Sequence, residues 1–281
     1  MLRNACKTGL IEAADLARLL KEDNESIRLI DASYAVPGGT AASKAAFEKD
    51  HLPGAVFFDT DAIADRSSDL PHMLPSAAEF ARTVESLGIG SNDTVVVYDQ
   101  TGIALAAARA WWMFRVFGQD RVCVLNGGLP AWRKAGQPLE SGQANPASPA
   151  RFEARYRPDL VRGAADMAAQ GMTVIDARSA ERYAGLVPEP RPGLRQGHIP
   201  GSLNIPFASL IGADGRLLDG PDLAKRLTVP STDPVAVYCG SGLTACVPAL
   251  AFFVIGKQNV SVYDGSWAEW GQESGHRAIE L

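Results

Sequence analysis

Cys239-Gly240-Ser241-Gly242-Leu243-Thr244 sets a thiol between the β-branched run Val235-Ala236-Val237-Tyr238 and a long apolar stretch, the pattern of a strand, a tight turn and a helix. Glycines at 240 and 242 let the turn curl with several backbone N–H groups pointing inward. The helix expected over Leu243–Ile255 adds the positive end of its dipole. Such a cradle favours a thiolate, or any anionic sulfur or oxygen held beside it. The chemistry implied is nucleophilic attack by Cys239, with the anionic product steadied by the loop. Cys246 falls two helical turns further on and is expected in the interface between sheet and helix.

Other thiol chemistries fit less well. Cysteine-dependent phosphatases use a similar strand, loop and helix, but they need an arginine closing the loop to hold the phosphate oxygens. Here that place is Ala245. The four cysteines form no CxxC pair and no Cys/His cluster with zinc spacing, so neither a disulfide framework nor a metal site is expected. With 46% apolar residues, 21% charged residues and a net charge of -5, nothing invites a nucleic-acid or membrane partner. The longest apolar region, Ile103 to Phe117, is broken by Arg109 and Arg115 and is too short to span a bilayer. Met1 to Leu10 lacks a sustained apolar stretch or cleavage signal, and a reducing, cytoplasmic setting is expected.

The loop must be positioned by a larger frame, and an internal repeat reveals it. Val95-Val96-Val97-Tyr98-Asp99 returns 140 residues later as Val235-Ala236-Val237-Tyr238-Cys239. In the same order, Asp31-Ala32-Ser33 matches Asp176-Ala177-Arg178, and His51-Leu52-Pro53-Gly54 matches His198-Ile199-Pro200-Gly201. Gly128-Leu129-Pro130-Ala131-Trp132 matches Ser266-Trp267-Ala268-Glu269-Trp270. Repeats this long describe a duplicated domain and not a solenoid. We expect domains over 1–136 and 158–281, joined by a Pro-, Ser- and Ala-rich linker over 137–157.

Short β-branched runs alternate with helical patterns in each half, predicting an α/β fold of two parallel sheets flanked by helices. In the first half strands are expected at 28–31, 56–58, 94–98 and 122–125, with helices over 77–87, 103–117 and 129–134. The second half should carry strands at 173–175, 202–204, 235–238 and 260–263, with helices near 221–226, 243–255 and 267–270. Cys239 then lies beyond the carboxyl end of a strand, where open α/β sheets bind ligands. Its counterpart in the first repeat is Asp99, which has no thiol, so the first repeat is expected to be non-catalytic.

These motifs resemble the tandem rhodanese family of sulfurtransferases, and the loop is most similar to the family's 3-mercaptopyruvate branch. The resemblance runs from Asp31-Ala32-Ser33 to Tyr263-Asp264-Gly265-Ser266-Trp267. The mercaptopyruvate loop usually reads Cys-Gly-Ser-Gly-Val-Thr, from which Leu243 is a conservative departure. Thiosulfate-preferring members typically carry basic residues in the loop, and this loop has none.

The resemblance implies two tandem rhodanese-like domains. It implies that Cys239 accepts sulfane sulfur from 3-mercaptopyruvate as a persulfide and passes it to a thiol, thioredoxin-like or cyanide acceptor, releasing pyruvate. Arg182 and Arg191 match the family's substrate-binding arginines, and guanidinium forks suit a carboxylate and its neighbouring carbonyl. Gly240, Gly242, Leu243 and Thr244 form the substrate-binding loop. Ser241 is paired with His51 of the first repeat in a site between domains. A carboxylate orients that histidine in some members, and Asp50, Asp59 and Asp61 are the nearby alternatives. His51 and His198 share the His-x-Pro-Gly element, which also reads as a structural turn. Asp65-Arg66 and His72-Met73-Leu74-Pro75 resemble the segment bordering the family's active-site entrance. No metal or organic cofactor is implied. Thiosulfate is the alternative donor, and a non-catalytic rhodanese-like binding module is the alternative of another class.

Overall fold

A run such as Val95-Val96-Val97 has no polar side to offer water, and a strand that buries both faces belongs in the middle of a helix-covered parallel sheet. The computed structural model has two such sheets. It describes residues 6–22, 26–35, 39–144, 150–168, 171–229 and 234–281. Residues 1–5, within the stretch that lacks a cleavage signal, and 145–149, within the expected linker, lie outside the described residues.

The first sheet comprises β1 (Leu10–Ile11), β2 (Ile27–Asp31), β3 (Val56–Phe57), β4 (Thr94–Tyr98) and β5 (Val122–Leu125), in the order β1-β5-β4-β2-β3. The second comprises β6 (Val161–Arg162), β7 (Thr173–Asp176), β8 (Leu203–Asn204), β9 (Val235–Tyr238) and β10 (Val260–Tyr263), in the order β6-β10-β9-β7-β8. All pairings are parallel and the two orders are the same, as a duplication requires. The central strands β4 and β9 are buried along their whole length.

Every strand expected from β-branched runs is present. The two-residue edge strands β1 and β6 are too short to leave such a pattern. The helix expected from Ile103 begins at Leu105, and the helix expected from Leu243 begins at Cys246. The second difference matters chemically, because three further residues join the irregular loop after Cys239. Both helices are buried almost all round, which is why their apolar runs show little amphipathic period.

The chain forms two compact units, and neither is a continuous stretch. One consists of Met1–Ala64, Pro75–Arg157 and Gly212–Leu217, the other of Asp65–Leu74, Pro158–Ile211 and Leu218–Leu281. The stretch expected as a linker packs as part of the first unit over 150–157. Arg155 and Arg157 donate backbone N–H bonds to Phe117 and Val116, and Phe152 is buried edge-on against Phe80. In the first unit Leu217 N–H donates to Asn126 Oδ1 at 3.0 Å, and Arg216 pairs with Glu12 at 3.1 Å. In the second, Leu74 N–H donates to Asp264 Oδ2 at 2.7 Å.

Candidate active site

Cys239 leaves the end of β9 and is 1% exposed. The first turn of the short helix Ser266–Trp270 holds the back of its loop. Cys239 N–H donates to Ser266 Oγ (3.2 Å), Trp267 N–H to Cys239 O (3.0 Å) and Ala268 N–H to Gly240 O (2.9 Å). Ser266 adopts φ 50°, a left-handed conformation that costs a non-glycine residue about 1 kcal/mol. The first repeat fills the matching position with Gly128 at φ 49°. Ser266 keeps the conformation and adds a hydroxyl that serves Cys239. Ser241 and Leu243 are buried in the loop, Thr244 is half-buried, and Gly242 turns it at φ 74°. Cys246 is buried and its Sγ donates to Gly242 O at 3.4 Å, consistent with the structural place expected for it.

The loop lacks a basic side chain, and the guanidinium comes from elsewhere in the unit. Arg182 sits on the one-turn helix Ala180–Tyr183, capped by Ser179, and reaches Gly240 closely: a Cβ at position 240 would stand 3.0 Å from Arg182 Nη2. Glycine is what admits the arginine. On its other edge, Arg182 donates from Nε and Nη2 to Glu189 Oε1 and Oε2 at 3.1 and 2.5 Å. Glu189 also accepts from Arg178 Nη1 at 2.8 Å. Arg178 is completely buried, forked onto Asp176, bonded to Gly197 O and laid over the Trp267 ring at 4.3 Å. Burial presses against its charge, but Asp176 outweighs this and holds the guanidinium protonated beyond its ordinary range. Arg191 is exposed and makes no ion pair among the described residues.

Sequence reading singled out Cys239, Ser241, Gly240, Gly242, Leu243, Thr244 and Arg182, and it missed Arg178, Glu189 and Ser266 as parts of the same constellation. Asp176-Ala177-Arg178 was visible as a repeat motif. Its difference from Asp31-Ala32-Ser33 was the available signal, because a serine became a cation in the copy that kept the thiol. Glu189 was hidden because only the fold brings its carboxylate to two arginines.

In the first repeat the corresponding loop is occupied by its own side chain. Asp99 Oδ1 accepts from Thr101 Oγ1 at 2.7 Å and from Gly102 N–H at 2.8 Å, with Ala107 N–H 3.4 Å from Oδ2. Gly102 has φ 81°, close to the 74° of Gly242. The turn bends alike at this glycine in both copies, and in the first it holds a covalently attached carboxylate.

His51 lies in the first unit. Its Nδ1 donates to Phe47 O at 2.8 Å, its ring stacks on Phe47, and Nε2 is 4.0 Å from Glu140 Oε2. His198 in the second unit donates from Nδ1 to Tyr183 O at 2.9 Å, stacks on Tyr183 and lies 3.4 Å from Glu280 Oε2. Backbone bridges join His51 to Glu140 and His198 to Glu280. The two histidines hold equivalent turns in equivalent ways. Of the nearby carboxylates, Asp50 pairs with Arg133, Asp59 caps the helix Thr60–Ile63, and Asp61 accepts from Thr40 Oγ1. The partner for the histidine that sequence reasoning did not consider is Glu140, 89 residues away.

A duplicated parallel sheet with a cysteine loop beyond its central strand defines a rhodanese-type protein. The rhodanese-like domain family matches residues 12–135 and again 161–273. The chain is 42% identical over 273 residues to 3-mercaptopyruvate sulfurtransferase of Rattus norvegicus, covering 93% of this chain and 91% of the relative. It is 42% identical over 272 residues to thiosulfate/3-mercaptopyruvate sulfurtransferase 2 of Arabidopsis thaliana, covering 87% and 79%. Among solved structures, the rhodanese-fold 3-mercaptopyruvate enzyme of Escherichia coli superposes with a TM-score of 0.81 at 37% identity, covering 93% of this chain and 99% of that one. The chain belongs to the rhodanese family, in its tandem-domain sulfurtransferase branch.

Proposed function

We propose that the chain transfers sulfane sulfur from 3-mercaptopyruvate through a persulfide on Cys239 to a thiol, thioredoxin-like or cyanide acceptor. The observation that carries this reading is the Arg182 guanidinium set against Gly240, beside a nucleophile loop with no basic side chain of its own. A single fixed fork next to the thiol suits a donor whose carboxylate and ketone lie a few bonds from the sulfur to be attacked.

The Cys239 thiolate attacks the donor sulfur, the S–S bond forms, and the carbon–sulfur bond breaks. Its electron pair leaves with carbon as the enolate of pyruvate, which takes up a proton. The persulfide keeps the transferred sulfur until an acceptor thiolate or cyanide attacks the outer sulfur, returning the Cys239 thiolate. The loop amides and the Ser241 hydroxyl serve the anionic sulfur, and Arg191, exposed after Pro190, serves as the second cation for the incoming carboxylate. We assign His51, on its likeness to His198, to holding its turn. Four cysteines in a chain of this length are too few and too scattered for a disulfide framework, which fits a reducing, cytoplasmic setting. Among the described residues, no helix is long and apolar enough to cross a membrane.

Thiosulfate is the second donor to consider, since the Arabidopsis relative is named for both. The deciding experiment compares kcat/KM for 3-mercaptopyruvate and thiosulfate with cyanide as common acceptor. A preference for mercaptopyruvate is expected. The reverse preference would keep the nucleophile and overturn the donor, and no transfer from either would leave a binding module. Cys239→Ser should abolish transfer from both donors, because a hydroxyl oxygen cannot carry the persulfide; surviving turnover would remove Cys239 from the scheme.

A further inference from the structure

Glu189 has no part in the sulfur-transfer scheme, yet its side chain is 2% exposed and accepts three hydrogen bonds from two guanidiniums. A carboxylate is costly to bury, and the structure compensates with an alternating row: Asp176, Arg178, Glu189, Arg182. Arg178 is already matched by Asp176, so the free capacity of Glu189 falls on Arg182. Prolines at 188 and 190 fix the backbone on either side of it.

The consequence for Arg182 is directional. With Nε and Nη2 bound to Glu189, its remaining N–H groups lie on the edge near Gly240. Further along the row, Arg178 packs on the ring of Trp267, whose backbone N–H donates to Cys239 O. The row thus meets the cysteine loop directly through Arg182 and by way of Trp267 through Arg178. We propose that Glu189 is a positioning residue, holding the Arg182 guanidinium against Gly240 so that its unbound edge receives a carboxylate arriving at Cys239. This rests on the reading of the donor as a carboxylate.

Two roles for Glu189 predict opposite outcomes. If it only balances charge, removing its negative charge leaves the site more positive and improves anion capture. If it positions Arg182, its removal frees the guanidinium to turn toward solvent, and anion capture falls. The test compares alkylation of Cys239 by iodoacetate, which carries a carboxylate, with alkylation by neutral iodoacetamide, located by peptide mass. It is run on the full chain, on Glu189→Gln, on Arg182→Ala and on the double variant.

The iodoacetate-to-iodoacetamide ratio should fall about fivefold in each single variant and no further in the double, because residues acting through one another are non-additive. In parallel, Glu189→Gln should raise KM for 3-mercaptopyruvate roughly tenfold while kcat changes less than about threefold, the mark of lost ground-state binding. A ratio that is unchanged or higher in Glu189→Gln, or losses that multiply in the double variant, would overturn the proposal. Should Glu189→Gln fail to fold, Glu189→Asp keeps the charge and withdraws the carboxylate by one methylene, and the same fall in ratio is required of it. If the unaltered chain does not turn over mercaptopyruvate, the donor reading fails, while the alkylation ratio still decides the role of Glu189.

Discussion

The thiol is the smaller part of what residues 239 to 244 specify; the glycine beside it admits the Arg182 guanidinium against the loop. Gly240→Ala places a methyl 3.0 Å from Arg182 Nη2, so the guanidinium must move by a few tenths of an ångström against its bonds to Glu189. We expect a cost of about 1 kcal/mol, roughly fivefold in kcat/KM for a carboxylate donor. Initial-rate kinetics with 3-mercaptopyruvate will check this, and an unchanged kcat/KM would remove the steric argument. Cys239 and its loop were legible in the sequence because they are contiguous. Arg182 came through resemblance alone, Arg178 only as a member of a repeat motif, and Glu189 not at all. Their meaning lies in a row of charges that is assembled only when β7, the one-turn helix after it and the Pro188-Glu189-Pro190 segment come together.

At the scale of elements, the same strand, turn and helix has been built twice and used differently. The first copy depends on Asp99 for its shape. Asp99→Ala leaves the Thr101 hydroxyl and the Gly102 and Ala107 amides without their carboxylate in a buried turn, a cost of about 3 kcal/mol. Asp99→Asn keeps one acceptor oxygen and should cost about 1 kcal/mol. Chemical denaturation of the two variants will check the order, and equal losses would show that the charge and not the acceptor matters. Strand positions were readable because β4, β5, β9 and β10 are short, wholly buried runs rich in valine and bounded by turns. The start of the helix after Cys239 was not. Leu243, Thr244 and Ala245 include no residue that breaks a helix, and the start of the loop at Cys239 and Gly240 is instead tied by tertiary bonds to Ser266, Trp267 and Ala268.

At the scale of the whole chain, the repeat was plain in the sequence and the discontinuity of its units was not. Gly212–Leu217 and Asp65–Leu74 carry no pattern that marks them as belonging to the other half's unit, because they are irregular segments held by single hydrogen bonds and ion pairs. A chain cut after residue 157 lacks Leu217 N–H for Asn126 and Arg216 for Glu12. One starting at 158 lacks Leu74 N–H for Asp264, in the loop that leads to Ser266. Each half expressed alone should therefore unfold at lower denaturant concentration than the same unit within the full chain, by about 1–2 kcal/mol for each buried polar group left unmatched. Matching midpoints for the isolated and tethered units would refute this.

An aspartate and a cysteine persulfide have the same bond count, though the sulfur bonds are longer: two bonds beyond Cβ, each ends in a terminal atom able to carry negative charge. Oδ1 of Asp99, seated between a hydroxyl two residues on and a glycine amide three residues on, stands where the proposed outer sulfur on Cys239 would meet Ser241 and Gly242, the residues at the same offsets. If Cys239 carries sulfur as proposed, the first copy of the duplicated chain holds permanently, in carbon and oxygen, the outline of a charge that the second copy would hold for only part of each turnover.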